Sequence, residues 1–223
     1  MTNKETVTFS PTFLVLAVLF CVSLIVANLM EIKVVDCGFL SITAGVVVFP
    51  ISYIINDCIV EIYGFAKARF VIWLGFAMNL LVSLLLQLGI MLPGGAEWQH
   101  QAAMEVIYGA VPRIFAASFL AFICGSMVNA YVMSVMQRRS ATVADPERGF
   151  SVRAILSTVF GEGVDSLLFF PIAFGGVFSV STIIKMILTQ TLLKTAYEII
   201  VLPLTVRIVK RLRKVESPAL ETE

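Results

Sequence analysis

The sequence predicts an all-α integral membrane protein: six transmembrane helices in one domain, with both termini cytoplasmic. Three observations carry this. Hydrophobic residues make up 59% of the 223 positions, and the mean hydropathy is +0.95. Charged residues make up only 14%, against about 25% in an ordinary soluble domain. The apolar residues also form continuous runs rather than the alternating pattern of a membrane β-barrel. Six runs approach or exceed the roughly 20 residues that a helix needs to cross a bilayer core. They are 12–30, 43–65, 69–92, 111–136, 153–178 and 182–208.

Taken in order, residues 1–11 form a short cytoplasmic N-terminus ahead of the first run. That run is too long for the apolar core of a signal peptide. It ends in Ala27-Asn28-Leu29-Met30-Glu31 without a small-x-small cleavage site, so it reads as a helix that stays in the membrane. Residues 32–43 alternate loosely around Cys37-Gly38 and predict a short outer hairpin. Runs two and three are separated by a short loop at 66–68. Pro50 inside run two and Pro203 inside run six predict kinks, because proline removes a helix hydrogen bond. Residues 96–108, with Trp98 and Tyr108, predict an interfacial helix with its aromatics at headgroup level. The transmembrane domain spans 12–210. Residues 211–223, with Glu216, Pro218, Glu221 and Glu223, read as a polar, disordered tail.

Lysine and arginine set the expected direction. Lys67 and Arg69 lie between runs two and three. Arg138, Arg139, Arg148 and Arg153 lie between or flank runs four and five. Arg207, Lys210, Arg211, Arg213 and Lys214 follow run six, while 93–111 contains no Lys or Arg. These clusters belong in the cytoplasm. Lys33 and Lys185 fall on the outer side and run against the trend.

Several function classes drop out. A net charge of +1 gives no bulk attraction for nucleic acid. The four cysteines include no Cys-x-x-Cys pair, and His100 is the only histidine, so neither a disulfide framework nor a zinc site is expected. No nucleophile elbow, phosphate loop or metal motif occurs. The chain is therefore not read as an enzyme, and no catalytic residue, metal or cofactor is assigned. An inverted repeat would match Asp57 and Glu61 with Glu162 and Asp165. The two pairs lie at different depths in their runs, so the repeat is not adopted.

What remains is buried polarity. Glu162 and Asp165 are spaced i, i+3 on one face of run five. They sit about 9–12 residues in, or ~14–18 Å deep at 1.5 Å per residue. Gln190, Lys194 and Glu198 form an i, i+4, i+8 stripe on run six at similar depth. Ionised groups at mid-membrane cost about 2.5–3.5 kcal/mol each on insertion scales. Two readings stay open: a cradle for a polar solute, or a static bridge through Lys194 that fixes helix packing. In either, Lys194 is expected to pair with Glu162, Asp165 or Glu198 when no solute is present. Asn79 and Asn129 are candidate pocket residues, since a carboxamide both donates and accepts. Asn28 and Gln87 fit interhelical glue. Asp57 and Glu61, i and i+4 near the inner face, with Arg69, are candidates for gating or coupling, or simply snorkel to the surface. Tyr53, Phe76, Phe169 and Phe170 are packing residues, one or two of which can stack on a flat ligand.

The run Phe49-Pro50-Ile51-Ser52-Tyr53-Ile54-Ile55-Asn56-Asp57, then Glu61-Ile62-Tyr63-Gly64, Ala68-Arg69 and Gly75-Phe76-x-x-Asn79, resembles the queuosine precursor transporter family, also called putative vitamin uptake transporters. Gly161-Glu162-x-x-Asp165-Ser166 and Gln190-x-x-x-Lys194-x-x-x-Glu198 look like that family's second half, so the resemblance covers about residues 14–210. It implies uptake of 7-cyano-7-deazaguanine and 7-aminomethyl-7-deazaguanine across the bacterial inner membrane, for tRNA modification. Partners implied are that small molecule and the bilayer, with a homodimer or an energy-coupling module as further options. Two alternatives stand beside it. One is a substrate-binding subunit of an energy-coupling-factor vitamin importer, against which run one offers only Ala17-x-x-x-Cys21 where many such subunits carry Ala-x-x-x-Ala. The other is a membrane assembly protein that moves no solute.

Overall fold

The computed structural model describes residues 10–36, 38, 40–139 and 146–220. Cys37 and most of the expected N-terminus lie outside the described residues. Helix α1 (Pro11–Met30) starts where the Ser10 hydroxyl accepts from the Phe13 amide at 3.1 Å and Pro11 fixes the first turn. Phe13, Ala17, Phe20, Ala27 and Asn28 form its buried face. Leu14, Val15, Val18, Leu19 and Val22 on the other side are apolar yet about half exposed. A helix apolar all round is built for lipid.

Strands β1 (Val34–Asp36) and β2 (Ser41–Thr43) then pair antiparallel, with Val34 opposite Thr43. This is the hairpin expected at 32–43. A 3₁₀ turn at Ala44–Val47 leads into α2 (Phe49–Met91). The second helix thus begins at Phe49 rather than 43. Pro50 lies in its first turn, where a missing N–H costs nothing, and not inside it as expected.

The break in α2 is at Gly64, with φ 84° and ψ 168°. Side chains with a Cβ avoid that region. It splits α2 into arms 49–63 and 65–91, replacing the expected loop at 66–68. Both arms pack on α1. Ile55 and Ile59 of the first arm and Ala68 and Val71 of the second share one cluster with Phe13, Ala17 and Phe20. Tyr63 meets the start of α1, its ring edge-on to Phe13 at 5.0 Å and its hydroxyl 3.3 Å from Ser10. A Cβ on Gly75, eleven residues past the break, would come within 3.1 Å of Phe20 and Leu24, further along α1. The second arm therefore runs back along α1 from its N-terminal end.

Helix α3 (Gln101–Gly109), where an interfacial helix was expected, is tied to the end of α2. Gln87 donates to Tyr108 O at 2.8 Å and Gln101 to Ile90 O at 3.0 Å. Helices α4 (Val111–Arg139) and α5 (Pro146–Phe174) form the closest pair. A Cβ on Gly125 would come within 2.9 Å of Gly161 O, and one on Gly161 within 2.8 Å of Asn129 Cβ. In lipid no hydrophobic force presses helices together, so this close backbone contact is what binds the pair. Arg113 at the start of α4 donates to Ile172 O (2.6 Å) and Gly175 O (2.5 Å), closing carbonyls left open at the end of α5. Phe169, Phe170 and Phe174 pack with Ile114, Ala117 and Ala121 of α4 and with Ile183 and Met186 of the last helix, α6 (Val180–Leu220).

Among the described residues, four helical stretches are long and apolar enough to cross a membrane by length and composition: Pro11–Met30, Ile54–Met91, Gln101–Met136 and Leu156–Phe174. Helix α6 is not among them, and it carries Lys185, Lys194 and Glu198. At 1.5 Å per residue its 41 residues reach ~60 Å, about twice a hydrocarbon core. It continues through Pro203 and through most of the segment read as a disordered tail. The reason is visible at its end. Val209 packs on Cys58 and Ile62 of α2, and Arg213 forms an ion pair with Glu61. Glu216 is buried. Burial works against its charge, but the hydroxyls of Thr12, Ser10 and Tyr63 outweigh that and hold its carboxyl below the ordinary range.

Candidate functional site

Between α1, α2, α4, α5 and α6 lies a cavity of about 440 Å³. That is within the ~300–1,000 Å³ of small-molecule sites. Its position follows from the glycines. Because Gly125 and Gly161 let α4 and α5 touch, Asn129, Glu162 and Asp165 are carried to one wall. Gln190, Lys194 and Glu198 project from α6 opposite.

Lys194 is buried, with Nζ 2.6 Å from Asp165 Oδ2 and 3.2 Å from Glu162 Oε2. One ammonium therefore serves two carboxylates, as a buried charge requires. Glu198 is held separately: Thr158 of α5 donates to its Oε1 at 3.1 Å. Gln190 reaches the hairpin, donating through Nε2 to Thr43 Oγ1 at 3.1 Å. Asp57 lines the cavity from the first arm of α2, beside Asn56 and Ser52. Phe169 and Phe170 also line it, as do Phe20, Phe65 and Phe122. Phe76 does not, and the Tyr53 side chain lies outside the described ones.

Seven of the ten residues expected to bind solute or to gate thus share this space: Asp57, Asn129, Glu162, Asp165, Gln190, Lys194 and Glu198. Three do not line it. Asn79 is fully buried in the second arm of α2. Glu61 pairs with Arg213 at an exposed position. Arg69 is exposed near the Gly64 break.

Sequence reasoning missed Glu31. It is 1% exposed and lines the cavity beside the hairpin, with Asn28 one turn earlier. Its position just past an apolar run made it look like a loop residue. The available signal was the i, i+3 pair Asn28/Glu31 at the close of a membrane helix. Gly45 makes room for it: a Cβ there would collide with Glu31 Oε1 and lie 2.9 Å from Ala27 O. Among the described residues no group of three or more His, Cys, Asp or Glu is arranged to hold a metal ion.

Long apolar helices around an open-sided cavity lined by carboxylates, amides and aromatic rings make this a multi-pass membrane protein with a candidate solute site between its helices. The class has a specific match. The family described as "Putative vitamin uptake transporter" matches residues 43–208, and the chain belongs to it. It is 30% identical over 177 residues to a protein of Bacillus subtilis (strain 168) named "Probable queuosine precursor transporter", covering 79% of this chain and 76% of that one. It is 30% identical over 146 residues to the "Queuosine precursor transporter" of Escherichia coli (strain K12), covering 66% of this chain and 61% of the relative. No solved structure matches.

Proposed function

We propose that this protein is a multi-pass transporter of queuosine precursors, taking up 7-cyano-7-deazaguanine and 7-aminomethyl-7-deazaguanine, and that the cavity is its solute site. The observation that carries the reading is a cavity lined by one buried lysine and five carboxylates: Glu31 is buried, Glu162 and Asp165 are part-buried, and Asp57 and Glu198 are exposed. A packing bridge needs one acid per lysine. A buried carboxylate beyond that need, as at Glu31, is costly unless a solute or proton meets it. Asn129 and Gln190 add donors and acceptors, and Phe169 and Phe170 offer faces for a planar ring.

In this reading the chain crosses the membrane six times, the reversal at Gly64 separating crossings two and three, with both termini cytoplasmic. Glu162, Asp165 and Lys194 form the charged floor of the site, while Asp57 lies nearest the inner end. Glu61, Arg69 and Arg213 steady the cytoplasmic end, and Asn79 fixes the second arm of α2. The names of the relatives support the substrate class, and the resemblance supplies the two compounds.

The test is genetic. A host unable to make queuosine, fed a low dose of either precursor, should regain queuosine in its tRNA when it expresses this chain. Correctly inserted protein that restores none with either compound would remove the substrate assignment.

A further inference from the structure

We propose that Glu31 and Asn28, at the hairpin end of the cavity, read the guanine-type edge of the solute; this rests on the function proposed above. That edge presents two adjacent N–H donors, N1–H and the 2-amino group, beside the O6 acceptor. Its complement is two parallel acceptors beside one donor. The structure holds that set. The carboxylate of Glu31 and the Nδ2 of Asn28 are buried, and among the described residues the one hydrogen-bonding group beside them is the Thr43 hydroxyl next to Glu31. Glu31 is 1% and Asn28 4% exposed, and both line the cavity.

The groups are built rather than incidental. Glu31 and Asn28 share a face at the end of α1. Gly45 leaves the space into which the carboxylate is set. Thr43 accepts from Gln190 and turns its O–H toward Glu31, whose carboxylate keeps room for two further N–H groups. Gln190 Oε1 is left as a further buried acceptor without a partner among the described residues. The acids on α5 are poorer candidates, because Lys194 lies within 3.2 Å of both. Forming a fork there means first separating a buried ion pair. At Glu31 the acceptors stand ready, and a carboxylate taking two N–H groups makes a pair of charge-assisted bonds.

The rival for the same carboxylate is a cation, such as the ammonium of the aminomethyl precursor, and the experiment separates the two. Binding to the purified full chain would be measured with the 7-cyano compound, the 7-aminomethyl compound, and the 7-cyano compound lacking its 2-amino group. Wild type should bind the first two and discriminate strongly against the third. Glu31→Gln replaces one acceptor by a donor that confronts N1–H or the amino group. It should weaken both precursors by about 30-fold or more and largely abolish the discrimination. Glu31→Asp keeps the charge but withdraws it by one methylene, and should weaken both as well. Loss confined to the aminomethyl compound would overturn the proposal in favour of a cation site. Unchanged affinity in the folded Asp or Gln variant, or wild type that binds the 2-amino-free compound equally well, would also overturn it. Wild type that binds none of the three would instead overturn the function on which it rests.

Discussion

The middle of the cavity and its hairpin end both bury carboxylates, and they handle the cost differently. At the middle, Glu162 and Asp165 are about four-fifths buried and share Lys194. At the hairpin end, Glu31 is almost completely buried and among the described residues has the neutral Thr43 hydroxyl beside it rather than an ion pair. A cluster built around a counter-charge contributes to holding helices together. A buried carboxylate without one is tolerated where a proton or a solute completes it. The difference teaches where to look for structure and where for recognition: charge pairing marks the first, and a buried group left open marks the second.

That contrast predicts opposite outcomes for two substitutions. The largest effect on stability should come from Lys194→Met. It strands two buried carboxylates, and breaking a buried pair from one side costs about 3–5 kcal/mol. Thermal unfolding in detergent should show a clear fall in midpoint, with recovery on adding Glu162→Gln and Asp165→Asn. An unchanged midpoint for Lys194→Met alone would break the comparison. Glu31→Gln should leave the midpoint unchanged or raise it, since it removes an unpaired charge, even as binding falls. The smallest effect belongs to Arg213→Ala. Its ion pair with Glu61 is more than half exposed on both sides, and such pairs contribute about 0–1 kcal/mol. A midpoint within a degree or two of wild type is expected.

Much of this contrast was legible in the sequence, and the missing half is instructive. Glu162, Asp165, Lys194 and Glu198 stand out because charge inside an apolar run has no ordinary explanation. Helical spacing then brings them to common faces. Glu31 escaped because it stands one residue beyond such a run, where charge is unremarkable. Only the hairpin and the 3₁₀ turn, folding back over the end of α1, bury it. Local signals do not encode that return. The Gly64 reversal was hidden for a related reason. The basic residues Lys67 and Arg69 pointed to a loop, whereas a single glycine with positive φ turns the chain. Asn79 looked equivalent to Asn129 by composition. Asn129 reaches the cavity because Gly161 lets α5 approach it, and α2 turns Asn79 elsewhere. The helical end of α6 was read as tail from its polarity alone. Its docking on Cys58, Ile62 and Glu61 depends on contacts some 150 residues away in sequence.

The most direct measurement of the central claim is uptake by the purified chain alone, reconstituted in liposomes, of labelled 7-cyano-7-deazaguanine. The account predicts time-dependent entry into the lumen that saturates, is competed by unlabelled 7-aminomethyl-7-deazaguanine, and drops strongly for Glu31→Gln at equal protein content. Entry no faster than into protein-free liposomes, from protein shown to be folded and inserted, would contradict it.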